Sequence, residues 1–178
     1  MLRENRDLRR LVYAGVCLAL ALLLPFLTGQ LQSVGSALCP MHVPVLLAGF
    51  LCGPWWALAV GAAAPLLRSV LFGMPPMFPK AVAMAFELAA YGLASGLLYR
   101  LLPKKPWGVW TALAAAMLAG RLVWGAVMAV LAGVSSVSFG WAAFWAGGFA
   151  GALPGIVLHL LLIPPIVLAL QKAGLTEK

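Results

Sequence analysis

Three ionisable side chains lie inside long apolar stretches of the sequence: Arg68, Glu87 and Arg121. The chain has only four Asp and Glu residues in total, so a carboxylate in such a stretch is exceptional. A charge in hydrocarbon costs free energy unless it is paired or faces water. We therefore predict that these three side chains line a polar chamber that is walled by helices.

A fourth charge, Lys80, precedes Glu87 by seven residues, which places both on one face of a helix. Three cations against one carboxylate leave an excess of positive charge, and a ligand carboxylate or phosphate could balance it. This pattern predicts an anionic or zwitterionic ligand. The alternative is that Arg68 or Arg121 pairs with Glu87 and only holds helices together.

Aromatic and imidazole side chains accompany these charges. Trp124 follows Arg121 by three residues and Tyr91 follows Glu87 by four, so each shares a helical face with its charge. Trp124 could stack on a ligand or pack in the core. His42, at the start of an apolar stretch, is a candidate ligand contact, and His159 is either a packing histidine or part of the same site.

The composition indicates a membrane protein. Of 178 residues, 64% are hydrophobic and 9% are charged, with a mean hydropathy of +1.04. Such values are typical of an all-α, polytopic membrane protein rather than a soluble domain. We predict a single membrane domain over 1–178, with no soluble domain. Its six spans are expected near Arg9–Leu27, Met41–Cys52, Trp55–Phe72, Pro79–Leu101, Val109–Leu131 and Ala142–Leu170.

The distribution of Lys and Arg predicts the orientation, because cytoplasmic loops retain positive charge. With both termini in the cytoplasm, nine of the twelve basic residues lie on that side: Arg3, Arg6, Arg9, Arg10, Arg100, Lys104, Lys105, Lys172 and Lys178. The net charge of +8 is then mainly a topology signal with some attraction to anionic lipid. No basic face is left for nucleic acid.

Metal binding and catalysis find little support in the sequence. Cys39-Pro-Met-His42 offers a thiol, a thioether and an imidazole, but Cys17 and Cys52 belong to other spans, so the three or four convergent ligands of a metal site are missing. Glu87 is the only carboxylate within a span, and there is no phosphate-binding glycine loop. We therefore expect no metal, no cofactor and no enzymatic activity.

The first helix carries a possible partner surface. Gly15 and Ala19 are small residues four apart, which lets another helix approach closely, and Cys17 and Ala21 repeat that spacing on an adjoining face. Similar glycine pairs occur in later spans, where internal packing explains them. Gly15 and Ala19 are therefore the candidate docking residues.

With these features, the chain resembles the substrate-binding S components of energy-coupling-factor (ECF) vitamin transporters. The resemblance covers nearly the whole length and includes the six spans, the small residues of the first helix and four stretches of sequence. Those stretches are Pro40-Met-His-Val-Pro44, Ala64-Pro-Leu-Leu-Arg68-Ser69, Phe72-Gly-Met-Pro-Pro76 and Ala83-Met-Ala-Phe-Glu87-Leu-Ala-Ala-Tyr-Gly92.

The resemblance implies a binding subunit in a bacterial plasma membrane that captures a water-soluble vitamin or related micronutrient. It implies docking through the first helix on a transmembrane coupling protein that is driven by two cytoplasmic ATPases. Gly15 departs from the alanine that is frequent there, but it stays small. The ligand positions it implies are Gln30, Gln32, Lys80, Glu87, Tyr91, Arg121, Trp124 and His159.

Two other functions remain open from the residues alone. A stand-alone secondary transporter or channel could use Arg121 and Glu87 as an ion or proton path. A membrane scaffold without transport activity could use the same charges only to hold its helices together.

Overall fold

The computed structural model describes residues 2–28, 37–134 and 139–176, and these ranges contain helices and no strand. We number the helices in chain order: α1 (Leu2–Leu23), α2 (His42–Cys52), α3 (Pro54–Phe72), α4 (Val82–Leu101), α5 (Pro106–Val134), α6 (Trp141–Trp145) and α7 (Leu153–Lys172). A 3₁₀ segment, Leu24–Thr28, follows α1, and π-helical segments Met77–Ala81 and Ala146–Ala150 precede α4 and follow α6. The all-helical fold is confirmed.

Five helical stretches are long and apolar enough to cross a bilayer. They present large apolar side chains outward, such as Val70 at 71% and Leu161 at 65% exposure, which a soluble protein would bury. The remaining apolar helix, α2, has 11 residues and is buried along most of its length. The chain is a multi-pass membrane protein.

Helices α1 and α3 run in the same direction, with the short α2 returning between them, and α4 runs opposite to α3, so the bundle has two ends. At one end the 3₁₀ segment after α1 meets the end of α3, where the rings of Phe26 and Phe72 lie 4.9 Å apart. At the other end Tyr99, late in α4, packs against Phe50 of α2 and accepts a hydrogen bond from Gln171 of α7. We call these the site end and the basic end, because Arg100, Lys104, Lys105 and Lys172 lie near the second.

Helix α4 lies at the centre of the bundle and packs on α2, α3 and α5. Its closest approach is to α3, where glycines replace side chains. A Cβ at Gly61 would meet the backbone of Leu88, and a Cβ at Gly92 would meet the backbone of Ala57. Small residues thus let two spanning helices touch along their backbones, which favours association in lipid.

Helix α1 begins at Leu2, before the predicted Arg9, and the other helix boundaries agree with the predicted spans to within a few residues except near the sixth. There the structure divides the predicted Ala142–Leu170 into α6, a π-helical segment and α7. Pro154 lies in the first turn of α7, where a missing N–H costs nothing. Helices α2 and α3 are joined by a tight connection at Gly53, with φ of 86°.

Candidate functional site

Glu87 is the centre of a buried polar cluster. It lies near the start of α4 and is only 2% exposed. Its Oε1 atom accepts a hydrogen bond from Arg121 Nη1 of α5 at 2.8 Å and from the Tyr91 hydroxyl at 3.1 Å. Tyr91 reaches the carboxylate because it follows Glu87 by four residues on one face of α4. The only carboxylate of the apolar stretches is therefore paired inside the protein.

Arg121 makes a second contact, from Nη2 to the Cys39 sulfur at 3.8 Å, while its Nε is buried with no hydrogen-bond partner among the described residues. The preceding residue, Gly120, allows this arrangement. A Cβ at Gly120 would collide with the ring of Tyr91, so the glycine lets that ring lie against α5 with its hydroxyl on Glu87.

Two histidines border the ion pair. Nε2 of His42, the first residue of α2, lies 3.6 Å from Glu87 Oε1, beyond hydrogen-bond distance. The rings of His42 and His159 are nearly parallel, with centroids 6.0 Å apart. Neither ring nitrogen of His42 has a hydrogen-bond partner in the described part of the chain. His159 Nε2 lies 3.3 Å from the carbonyl oxygen of Cys39.

Cys39 lies in the turn before α2, outside the spanning helices, and contacts both Arg121 of α5 and His159 of α7. Its carbonyl also accepts the backbone N–H of His42 at 3.0 Å. Its φ of 48° is in the left-handed region, which a non-glycine residue keeps only where its surroundings hold it. Burial raises the pKa of the Cys39 thiol more than Arg121 lowers it, so the sulfur is uncharged near neutral pH.

We call this cluster the polar site; its members are Cys39, His42, Glu87, Tyr91, Arg121 and His159. It contains one carboxylate, Glu87, and one guanidinium, Arg121, which form a direct ion pair. Buried polar atoms without a partner are rare in folded proteins, and here three of them, on His42 and Arg121, lie in one place. The site therefore has unused capacity to hydrogen-bond a small polar molecule.

The other predicted ligand residues lie elsewhere or outside the described ranges. Arg68 is buried at the site end, but its contacts are with Leu22, Phe26 and Phe72. Lys80 is exposed on the segment before α4. Gln30 and Gln32 fall outside the residues that the structure describes.

Trp124 shares a helix with Arg121 but joins a separate aromatic cluster. Its ring packs edge-on against Phe139 at 5.6 Å and is stacked with Phe144 at 6.3 Å. A Cβ at Gly125 would touch Phe144, so the segment around α6 lies close against α5 there. Trp124 is half-buried in this cluster, beside the site end of α5.

One member of the polar site, Cys39, and one residue that packs against it, Gly120, were not predicted to have a role there. Cys39 attracted attention only as a possible metal ligand, and Gly120 is one glycine among nineteen. The signal for Gly120 was its position directly before Arg121. Within the described ranges, no three His, Cys, Asp or Glu side chains come together in a way that could hold a metal ion.

The small residues of α1 divide between two faces. Cys17 and Ala21 are buried against the bundle, whereas Gly15 and Ala19 are exposed. A Cβ at Gly15 would meet nothing within 4 Å. This exposed face is open to a second protein.

An all-helical membrane bundle that surrounds an ion pair and unpartnered polar atoms defines a membrane protein with an internal polar site. The comparison with known families is more specific. The family model described as ECF transporter, substrate-specific component matches residues 9–167. The chain belongs to this family, so it is a substrate-binding subunit of an ECF transporter. No match was found among curated proteins or among solved structures.

Proposed function

We propose that this chain captures a water-soluble vitamin or related micronutrient in the polar site and presents it for import. The observation that carries the proposal is the buried Glu87–Arg121 pair beside unpartnered nitrogen atoms of His42 and Arg121. A polar solute entering between the helices would supply partners for those atoms. Membership of a family of substrate-specific components supports the same role.

The charges of the polar site favour the zwitterionic member of the two ligand classes predicted from sequence. Glu87 already neutralises Arg121, and the contacts of Arg68 are directed elsewhere. A ligand with one positive and one negative group can pair each group with the opposite charge of Glu87 or Arg121. No charge is then left without a partner in a medium of low polarity. Its carboxylate would meet Arg121, and its positive or N–H group would meet Glu87.

The other residues predicted to bind the ligand are given roles according to where they lie relative to the ion pair. His42, Tyr91 and His159 are proposed to hydrogen-bond the ligand, since they surround the ion pair. Lys80 and Trp124, which lie at the site end, are proposed for the entrance to the site rather than for its buried contacts.

The transport partners are proposed to be a transmembrane coupling protein and two cytoplasmic ATPases. Both termini are proposed to be cytoplasmic, because the basic end would then face the cytoplasm. The exposed Gly15–Ala19 face of α1 is the proposed docking surface, since small residues let a partner helix approach closely.

Ligand capture is tested by mass spectrometry of the small molecules that co-purify with the chain in mild detergent. We expect one polar compound in wild type, and its amount should fall at least about tenfold in Glu87→Gln and Arg121→Gln, as lost charged contacts predict. Arg100→Gln, an exposed change near the basic end, is the matched control. Equal amounts in all four proteins would contradict the proposal.

Docking is tested separately by co-purification with the coupling protein. Ala19→Leu should reduce the recovered complex because it fills the space that a partner helix needs. Ala126→Leu is the matched control, since Ala126 is also exposed but lies on α5. Uptake by the lone chain in liposomes, abolished by an uncoupler and indifferent to ATP, would instead establish a secondary transporter.

A further inference from the structure

Arg68 is buried at the site end between α1 and α3, away from the ligand contacts described above. Its Nη1 donates a hydrogen bond to the carbonyl oxygen of Leu22, in the last turn of α1. Its guanidinium also lies over two rings, 4.8 Å from the centroid of Phe26 and 5.4 Å from that of Phe72. We call these four residues the Arg68 clamp.

The clamp matches the chemistry of a helix end. The last carbonyls of an α-helix have no partner within the helix and carry partial negative charge, so a cation there is favourable. A planar guanidinium can donate to a carbonyl and at the same time lie against aromatic rings, whereas an ammonium group does this less well. The carbonyl and the two rings account for the burial of this arginine without an anion.

Helix α1 is the least buried of the five spans. In its apolar window 22% of residues are buried, against 28% in those of α5 and α7 and 50% in that of α4. Its buried apolar side chains in the described part of the chain are Ala14, Cys17 and Ala21, which are small and bury little area. Apolar packing therefore holds this helix weakly, and its site end is tied to α3 by Arg68.

We infer that Arg68 is a positioning residue that fastens the site end of α1 to α3, so that α1 moves with the bundle as one body. The inference rests on the proposed function only in its consequence: a partner that docks on the exposed face of α1 is then coupled rigidly to the bundle that holds the polar site. Arg68 itself contacts no ligand.

The experiment measures distances by electron paramagnetic resonance in the purified full chain. Spin labels are attached through an unnatural amino acid, which leaves the native cysteines unchanged. One pair, at the exposed Leu23 and Val70, reports on the clamp. A second pair, at the exposed Leu8 and Trp55, reports on the basic end of the same two helices.

We expect Arg68→Gln to raise the population of long Leu23–Val70 distances about tenfold, as loss of a hydrogen bond to a charged group predicts. The Leu8–Trp55 distances should not change. Arg68→Lys should resemble Arg68→Gln, because the ammonium group keeps the charge but not the planar fork. Unchanged Leu23–Val70 distances in both variants, full rescue by lysine, or equal broadening of both label pairs would each overturn the inference.

A second measurement separates positioning from ligand binding. The amount of co-purifying compound per mole of chain should stay within about twofold of wild type in Arg68→Gln, an energy difference below that of one hydrogen bond. A fall as large as that of Arg121→Gln would make Arg68 a ligand residue and overturn the inference. If no compound co-purifies even with wild type, the proposed function fails, while the distance measurement still decides the role of Arg68.

Discussion

Arg121 and Arg68 are both buried arginines of spanning helices, 7% and 3% exposed, yet their surroundings differ in kind. Arg121 forms an ion pair with Glu87 in the middle of the bundle, and its Nε has no hydrogen-bond partner among the described residues. Arg68 lies against a helix end and two aromatic rings. One environment retains polar capacity that a solute can use, and the other is occupied by the protein itself.

The difference teaches that an arginine in an apolar stretch does not by itself mark a ligand site. A guanidinium can be satisfied by backbone carbonyls and ring faces, which are present in any helical bundle. What distinguishes the polar site is that three more polar side chains meet beside Arg121. They are His42 of α2 and Glu87 and Tyr91 of α4. The comparison therefore makes distinct predictions for the two arginines.

The largest expected effect follows Arg121→Met. This change leaves the carboxylate of Glu87 buried without its cation, which costs about 3 to 5 kcal/mol in the free energy of unfolding. The double variant Glu87→Leu, Arg121→Met removes both charges and should recover most of that loss. Equilibrium unfolding in mixed micelles measures both. A loss under about 1 kcal/mol in the single variant would mean that water already solvates the pair.

Arg68→Gln should cost less, about 1.5 to 3 kcal/mol, since one hydrogen bond from a charged group is lost but no opposite charge is left unpaired. Its effect should add to that of Glu87→Gln within about 0.5 kcal/mol, because the two residues share no contact partner in the described structure. The same unfolding measurement on the double variant checks this. A coupling above about 1 kcal/mol would place Arg68 and Glu87 in one network.

Much of this arrangement could be predicted from sequence, and the limits have physical causes. The spans follow from hydropathy. The cost of a charge in lipid left two alternatives for Glu87, a ligand-filled chamber or pairing with a cation, and the structure shows the pair with Arg121. The identity of the cation that pairs with Glu87 could not be predicted. Helical spacing gives the depth of Arg68 and Arg121 in the membrane but not which helices are neighbours. The structure supplies that fact: α4 packs on both α3 and α5, but Glu87 faces α5.

Trp124 and Lys80 illustrate the same limit at shorter range. Each shares a helical face with a charge by spacing, but Trp124 packs against Phe139 and Phe144, and Lys80 is exposed while Glu87 is buried. Side chains three or seven residues apart point the same way only along a regular helix. Lys80 belongs to the π-helical segment Met77–Ala81, so α-helical spacing does not hold between it and Glu87. Trp124 and Arg121 do share a regular helix, where spacing does not reveal which neighbours each side chain meets.

Gly120→Ala tests how closely the polar site is packed. The Arg68 clamp contains no glycine, so this test applies to the polar site alone. The added methyl group would collide with the ring of Tyr91, and such overpacking costs about 1 to 3 kcal/mol. Gly133→Ala on the same helix meets nothing within 4 Å and should be neutral or stabilise by up to about 1 kcal/mol. Unfolding of the two variants under the same conditions gives the comparison; equal effects would contradict the packing of Tyr91 on α5.

The smallest expected effect concerns the rings of the clamp. Phe72→Leu removes one ring from Arg68 and from Phe26, which lies edge-on to it, and the cation–ring contact accounts for about 0.5 to 1 kcal/mol. Phe86→Leu is the matched control, because Phe86 is 55% exposed on α4 and Phe72 is 40% exposed on α3.

The difference between the two phenylalanine variants isolates the contact of the ring with its partners, since both lose a similar amount of lipid-facing surface. In an Arg68→Gln background the difference between the two variants should shrink, because only the contact with Phe26 is then lost. If the difference stays as large as in the wild-type background, the cost of Phe72→Leu comes from packing on Phe26 and not from the guanidinium. That result would leave the carbonyl of Leu22 as the contact that holds Arg68.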